Sequence, residues 1–319
     1  MFKLFSWQYF LYIFLAIAIV LTLVFVFRKS SEKTQKIAKI TLVSTIVAFA
    51  VLEYIGRLLM ISEFEFGEQM PINTHHVFAI ISLYTLLTSK SSWYKFSYLV
   101  ITPVCAYQLL FVPEIYSLGS PFSLAIVCYV LTNALLMANS VLNMFWLEDD
   151  LEKRNILDAS LTYVILIAFI HIVNIILRFS GLGIHANYFG TMGDSYDLVI
   201  GWLHSLMPVT DMSVAVPLLC ILPLLAILVG VQFLLVLPFE MVRSKKQAQQ
   251  NMEELIALGN LKKQQEYREQ YRKKRSQILL KSENKAKPKE EKRVSNSTSS
   301  GFVTTNKTVQ VNNKNDNDK

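Results

Sequence analysis

The chain has 319 residues, 53% hydrophobic and only 17% charged, whereas an ordinary soluble domain is about 25% charged; that balance excludes such a domain. The net charge of +7 belongs to the tail, since residues 243–319 hold 19 of the 31 Lys/Arg but only 9 of the 24 Asp/Glu. Beside apolar runs of membrane length, a basic tail points to anionic lipid rather than specific nucleic acid, and three widely spaced cysteines, Cys105, Cys128 and Cys220, make neither a disulfide framework nor a zinc site.

Seven segments reach or approach the about 20 apolar residues that a membrane span needs. The first, residues 5–27, is too long for a signal-peptide core and no small-residue cleavage site follows it, so it reads as a span. Arg28, Lys29, Lys33, Lys36 and Lys39 fill the connection to the second, residues 40–61, which carries Glu53 and Arg57 at the i,i+4 spacing of a helical ion pair. The next connection has Glu63, Glu65 and Glu68 and no base. The third segment, residues 72–88, is short and opens Pro71-Ile72-Asn73-Thr74-His75-His76; Lys90 and Lys95 follow it. The fourth, residues 96–112, leads to a connection marked by Glu114. The fifth, residues 121–143, carries Asn133, Asn139 and Asn143, residue types that hydrogen-bond helices together in lipid. Lys153 and Arg154 precede the sixth, residues 157–179, where His171, Asn174 and Arg178 share one helix face. The connection after it has no Lys or Arg; Gly181-Leu182-Gly183 reads as a helix stop, followed by His185, Asn187, Tyr188, Asp194, Asp197 and His204. The seventh, residues 212–239, contains Pro217 and Pro223, which predict a kink.

Basic and base-free connections alternate, which predicts an outside N-terminus and a cytoplasmic C-terminus. The expected fold is therefore all-α: a seven-transmembrane helix bundle over residues 1–242, multi-pass in the cell membrane. Residues 243–286, rich in Glu, Gln, Lys and Leu, predict a basic cytoplasmic helical extension. Residues 287–319, rich in Ser, Thr, Asn and Lys, predict a disordered polar tail.

An ionisable group at the centre of an inserting helix costs about 2.5–3.5 kcal/mol, so such groups mark function. On the predicted topology Glu53, Arg57, His75, His76, His171, Asn174 and Arg178 fall in the outer half, with Asn187 and Tyr188 in the loop beyond. His75, His76 and His171 are the candidate acid/base residues; Glu53, Arg57, Asn174, Arg178, Asn187 and Tyr188 are the candidate ligand-binding residues. The bland readings are a neutralised Glu53–Arg57 pair that locks helices and an Arg178 that snorkels to headgroups. His75 and His76, as neighbours on a helix, are expected to face different ways, so no metal site and no cofactor are expected. There is no phosphate-loop, dinucleotide, HExxH or GxSxG motif.

The Pro71–His76 opening, the run Ala186-Asn187-Tyr188-Phe189 and the ending Leu237-Pro238-Phe239 together resemble the bacterial YwaF family of integral membrane proteins, which is similar to the eukaryotic transmembrane protein 164 group. The resemblance covers about residues 5–240. It implies lipid acyl transfer with a Cys and a His near the start of the third span, where the bacterial pattern reads Pro-Leu-His-Leu-Cys. In this chain Asn73 stands at the His position and His75 at the Cys position. The implied nucleophile is missing, and Thr74 is the hydroxyl beside it.

The expected function is binding of a membrane lipid or a small anionic solute in an outer-half polar pocket, with catalysis left open. The alternatives are a lipid acyltransferase or hydrolase, a transporter, and an envelope scaffold. The basic tail is expected to meet cytoplasmic anionic lipid or protein.

Overall fold

The computed structural model describes residues 6–60, 69–111, 120, 122–147, 151–183, 186–191 and 215–285. Glu63, Glu65, Glu68, Glu114, His185, Asp194, Asp197, His204 and the tail from residue 286 lie outside the described residues. Among the described residues every regular element is helical. The helices are α1 Trp7–Phe27, α2 Glu32–Leu58, α3 Thr74–Thr88, α4 Ser91–Phe96, α5 Thr102–Phe111, α6 Leu124–Phe145, α7 Lys153–Phe179 and α8 Ala215–Lys285. Five of them (α1, α2, α6, α7 and α8) are long and apolar enough to cross a membrane, and α3 is a shorter apolar helix.

The fourth apolar segment starts earlier than its hydropathy suggests. Ser91–Phe96 and Thr102–Phe111 are joined without a break by a π-turn over Ser97–Ile101. Pro103 has no N–H to return to the preceding turn, and local widening of the helix accommodates the loss. The seventh segment and the predicted basic extension are one helix, α8, which passes through Pro223 and Pro238. The extension is built of strong helix formers, so nothing in its sequence stops the helix.

By its contacts the chain divides into two compact units, Met1–Gln249 and Gln250–Lys319. The second unit contributes residues 250–285 of α8, whose side chains through Ser282 are exposed. The first unit is built around α6. That helix is the most enclosed: 72% of its apolar window is buried, against 11% for α1. It packs on α1, α2, α3, α4, α5 and the π-turn. Ser123 caps its N-terminus by accepting from the Ile126 amide. By contrast α7 exposes Leu157, Leu161, Ile165, Phe169, Ile172, Ile176 and Phe179 in one stripe. A continuous apolar stripe at helical spacing on the outside of a bundle is a lipid-facing surface.

One end of this unit gathers the basic connections. Trp146 donates its indole N–H to the Phe27 carbonyl, and the Lys39 ammonium lies over the Tyr94 and Trp146 rings. Lys153 pairs with Glu240 at 2.9 Å and Arg243 with Glu152 at 3.2 Å. Phe27, Lys39, Tyr94, Trp146, Glu152, Lys153, Glu240 and Arg243 therefore share one end, and α2 runs from it toward the other.

Helices α2 and α6 come to backbone contact distance at Gly56. Gly56 lies against Ala125, where an added Cβ would stand 2.8 Å from the Ala125 backbone nitrogen and 3.1 Å from its Cα. Small residues let helix backbones touch where lipid offers no hydrophobic drive to associate. Gly56→Ala is expected to lower stability by about 1–3 kcal/mol, read as a drop in the thermal unfolding midpoint in detergent. Gly230→Ala, which has open space around the new methyl, should leave the midpoint unchanged or raise it; equal effects from the two variants would refute the close-approach argument.

Candidate functional site

Gly56 sits one turn beyond Glu53 on the face of α2 that meets α6, so close packing carries the carboxylate inside. Glu53 is fully buried. Its Oε1 accepts from the Arg57 Nε–H on the next turn of the same helix. Its Oε2 lies 3.1 Å from His75 Nε2 and 3.0 Å from His76 Nε2. His76 Nε2 is also 3.1 Å from the Ala50 carbonyl, which only accepts, so this nitrogen carries the proton. The carboxylate is met by Arg57 and His75 as hydrogen-bonding partners, with His76 Nε2 also within 3.0 Å, which is what a buried charge requires.

The two histidines do not diverge as their adjacency suggested. Their rings lie 4.2 Å apart, inclined at 39°. They occupy the first turn of α3, and about 100° of helix rotation separates neighbouring Cβ atoms. Glu53 lies between the two directions, and each imidazole turns inward to reach it. Aromatic rings wall the cluster: Tyr129 of α6 meets His75 edge-on at 5.1 Å, and Tyr54 meets His76 at 6.1 Å. His75 and His76 are 1% and 6% exposed. Glu53, His75 and His76 each offer one ligand atom, and these atoms lie within 4.8 Å of one another.

Asn174 and Arg178 take part in a second set of bonds. Asn174 donates to the Tyr188 carbonyl at 2.9 Å and to Thr191 Oγ1 at 2.8 Å, and accepts from the Tyr188 amide at 3.0 Å. Arg178 Nε donates to the Ala186 carbonyl at 2.8 Å. Asn174 thus clamps the loop backbone around Tyr188, and Asn187 stands just before that clamped residue. Phe189, the next residue, is held at φ 60°, a left-handed conformation costing a non-glycine residue about 1–2 kcal/mol. His171 is buried on the same α7 face.

Helix α3 lies between the two sets. His75 and His76 turn to α2, while Phe78 packs at 6.5 Å from both Tyr163 of α7 and Phe189 of the loop. Met70 and Ile72, just before α3, join the cluster of Ile170, Leu177, Ala186 and Tyr188.

Sequence reading missed the roles of Gly56, Tyr129, Thr191 and the Ala50 carbonyl. The lone glycine of an apolar span was the available signal; the others arise from tertiary contact. It also missed that Cys128 is buried on α6 beside Tyr129. Asn133 bonds back to the Tyr129 carbonyl of its own helix at 3.0 Å rather than across to another.

A family model described as "TMEM164 family" matches residues 4–229. No curated protein and no solved structure matches the chain.

The Asn174 clamp can be tested directly. Asn174→Leu removes the acceptor of the Tyr188 N–H and the shortest bond to its C=O, which keeps only the 3.5 Å contacts from Thr191; weakening these buried groups costs about 1–3 kcal/mol. Amide hydrogen exchange at Tyr188 should speed up by at least about tenfold, while exchange in the core of α6 stays slow. Unchanged exchange at Tyr188 would show that the loop is held by something else.

Proposed function

Since the chain belongs to the TMEM164 family, a multi-pass membrane protein family, we propose that it is a YwaF-like cell-membrane member that binds a phosphate-bearing lipid at the Glu53–Arg57–His75–His76 cluster. On the predicted topology this cluster lies in the outer half of the bundle, and the basic end faces the cytoplasm.

The observation that carries the reading is the state of Arg57. Its side chain is 19% exposed while its partner Glu53 is fully enclosed. Among the described residues its one hydrogen bond runs from Nε to Glu53, and none engages its terminal amino groups. A guanidinium presents these groups as a planar fork that matches phosphate oxygens. The lipid-facing stripe of α7 gives an acyl chain an apolar surface on the same unit. Acyl transfer or hydrolysis on such a lipid is the second reading, and the His75–Glu53 contact of 3.1 Å favours it: a base held by a carboxylate is half of a nucleophile-activating arrangement.

The full-length protein, purified into lipid nanodiscs, should retain phospholipid detectable by mass spectrometry after extraction. Arg57→Lys keeps a charge for Glu53 but removes the fork. It should weaken phospholipid retention by about 10- to 100-fold, the range of a charged hydrogen bond worth about 1.5–3 kcal/mol. Inorganic phosphate saturating the lipid-free protein would favour a small anionic solute. Equal retention by wild type and Arg57→Lys would overturn the assignment. Release of fatty acid by wild type but not by His75→Gln would establish the catalytic reading.

A further inference from the structure

We infer that Glu53, His75 and His76 form a binding site for a divalent metal ion of the zinc type, with Glu53 Oε2, His75 Nε2 and His76 Nε2 as its three protein ligands. The donor set decides the class of ion: two imidazoles and one carboxylate suit zinc and its first-row neighbours, not magnesium or calcium, which take oxygen cages.

The geometry is close to what such an ion needs. Ligand atoms about 2.0–2.1 Å from a tetrahedral ion stand about 3.3–3.4 Å from each other. The two nitrogens approach Oε2 at 3.0 and 3.1 Å, so a few tenths of an ångström of outward movement admits the ion. Three converging groups come from two helices, α2 and the first turn of α3, and all three are buried. Support is in place at the carboxylate ligand. Oε1 of the proposed carboxylate ligand is already held by Arg57, which leaves Oε2 for the metal. Metal binding shifts the His76 proton from Nε2, which now faces the Ala50 carbonyl at 3.1 Å, to Nδ1, which has no hydrogen-bond partner among the described residues.

Three protein ligands leave one tetrahedral position open, the pattern of a working rather than a structural metal site. Charge decides what fills it. Glu53 and Arg57 cancel, so a divalent ion leaves the site at +2 inside an apolar bundle. An anion must follow it, either a metal-bound hydroxide or a phosphate oxygen. Only this last step, the phosphate as fourth ligand, rests on the proposed lipid-binding reading; the three protein ligands do not.

The test uses the full-length protein, purified with a tag free of histidine, stripped with a chelator and titrated with Co²⁺ and Zn²⁺. The expected result is one equivalent of metal by elemental analysis. The cobalt form should show the visible bands of tetrahedral nitrogen and oxygen ligation without a thiolate charge-transfer band. His75→Gln and His76→Gln should each weaken binding by at least about tenfold, while Glu240→Gln, a carboxylate far from the cluster, should not. Folded wild-type protein that takes up no stoichiometric metal overturns the inference, as does binding that survives both histidine changes. The wild-type cobalt spectrum decides the matter even where a histidine variant fails to fold. Phospholipid retention is measured on the same stripped and reloaded samples. Lipid kept without metal uptake sinks the metal site alone, and metal uptake without lipid sinks the lipid reading alone.

Discussion

The Glu53 carboxylate is the constraint on which the rest of the membrane unit depends. An anion enclosed among apolar helices must have its charge neutralised and its lone pairs occupied. Arg57 supplies the charge from one turn away on the same helix, and the two histidines supply donors from α3. Removing one partner of a buried pair typically costs about 3–5 kcal/mol. That cost ties the start of α3 to one height on α2. It also accounts for how so short a helix as α3, 15 residues long, keeps a defined place in the bundle: its first turn is anchored by Glu53, and Phe78 seats it against α7 and the loop.

The anchor works because α6 allows it. Gly56 and Ala125 bring α2 against the enclosed helix at backbone distance. One turn back along α2, Glu53 meets the His75 ring that Tyr129 of α6 walls edge-on. Here close packing between small residues and placement of a charge are a single event, since a bulkier residue at position 56 would move the carboxylate away from its aromatic wall. The left-handed Phe189 shows the complementary device on the other side of α3. Asn174 bonds both the N–H and the C=O of Tyr188, and this fixed residue holds its strained neighbour where its ring meets Phe78.

The sequence made the helical class legible because apolar runs of membrane length allow few alternatives once backbone groups must pair internally. Glu53, Arg57, His75 and His76 were legible as costly residues, and the i,i+4 spacing exposed the pair within α2. The convergence of two adjacent histidines on one oxygen was not legible, because helical periodicity describes Cβ directions and not where a partner helix sits between them. Asn174 and Arg178 looked like ligand groups on an open face. They bond to the Tyr188, Thr191 and Ala186 region of a loop whose path no periodicity encodes. The merging of the seventh segment with the basic extension was hidden by the composition change near residue 243, although helix propensity runs through it.

Charge balance limits what the cluster can accept. At rest Glu53⁻ and Arg57⁺ cancel, so the ion pair as built is neutral. A phosphodiester alone would add one negative charge within low-dielectric surroundings, where an unbalanced charge is costly. A divalent cation alone would add two positive charges. The two together, with a hydroxide or a second phosphate charge, come close to zero. Cation and anion therefore favour each other's binding at this site, and the reciprocity is thermodynamic: whatever each gains from the other is gained equally in return. The partly exposed position of Arg57 beside a fully enclosed Glu53 fits that division. The inner carboxylate and histidines suit the cation, and the outer guanidinium suits the anion that follows it.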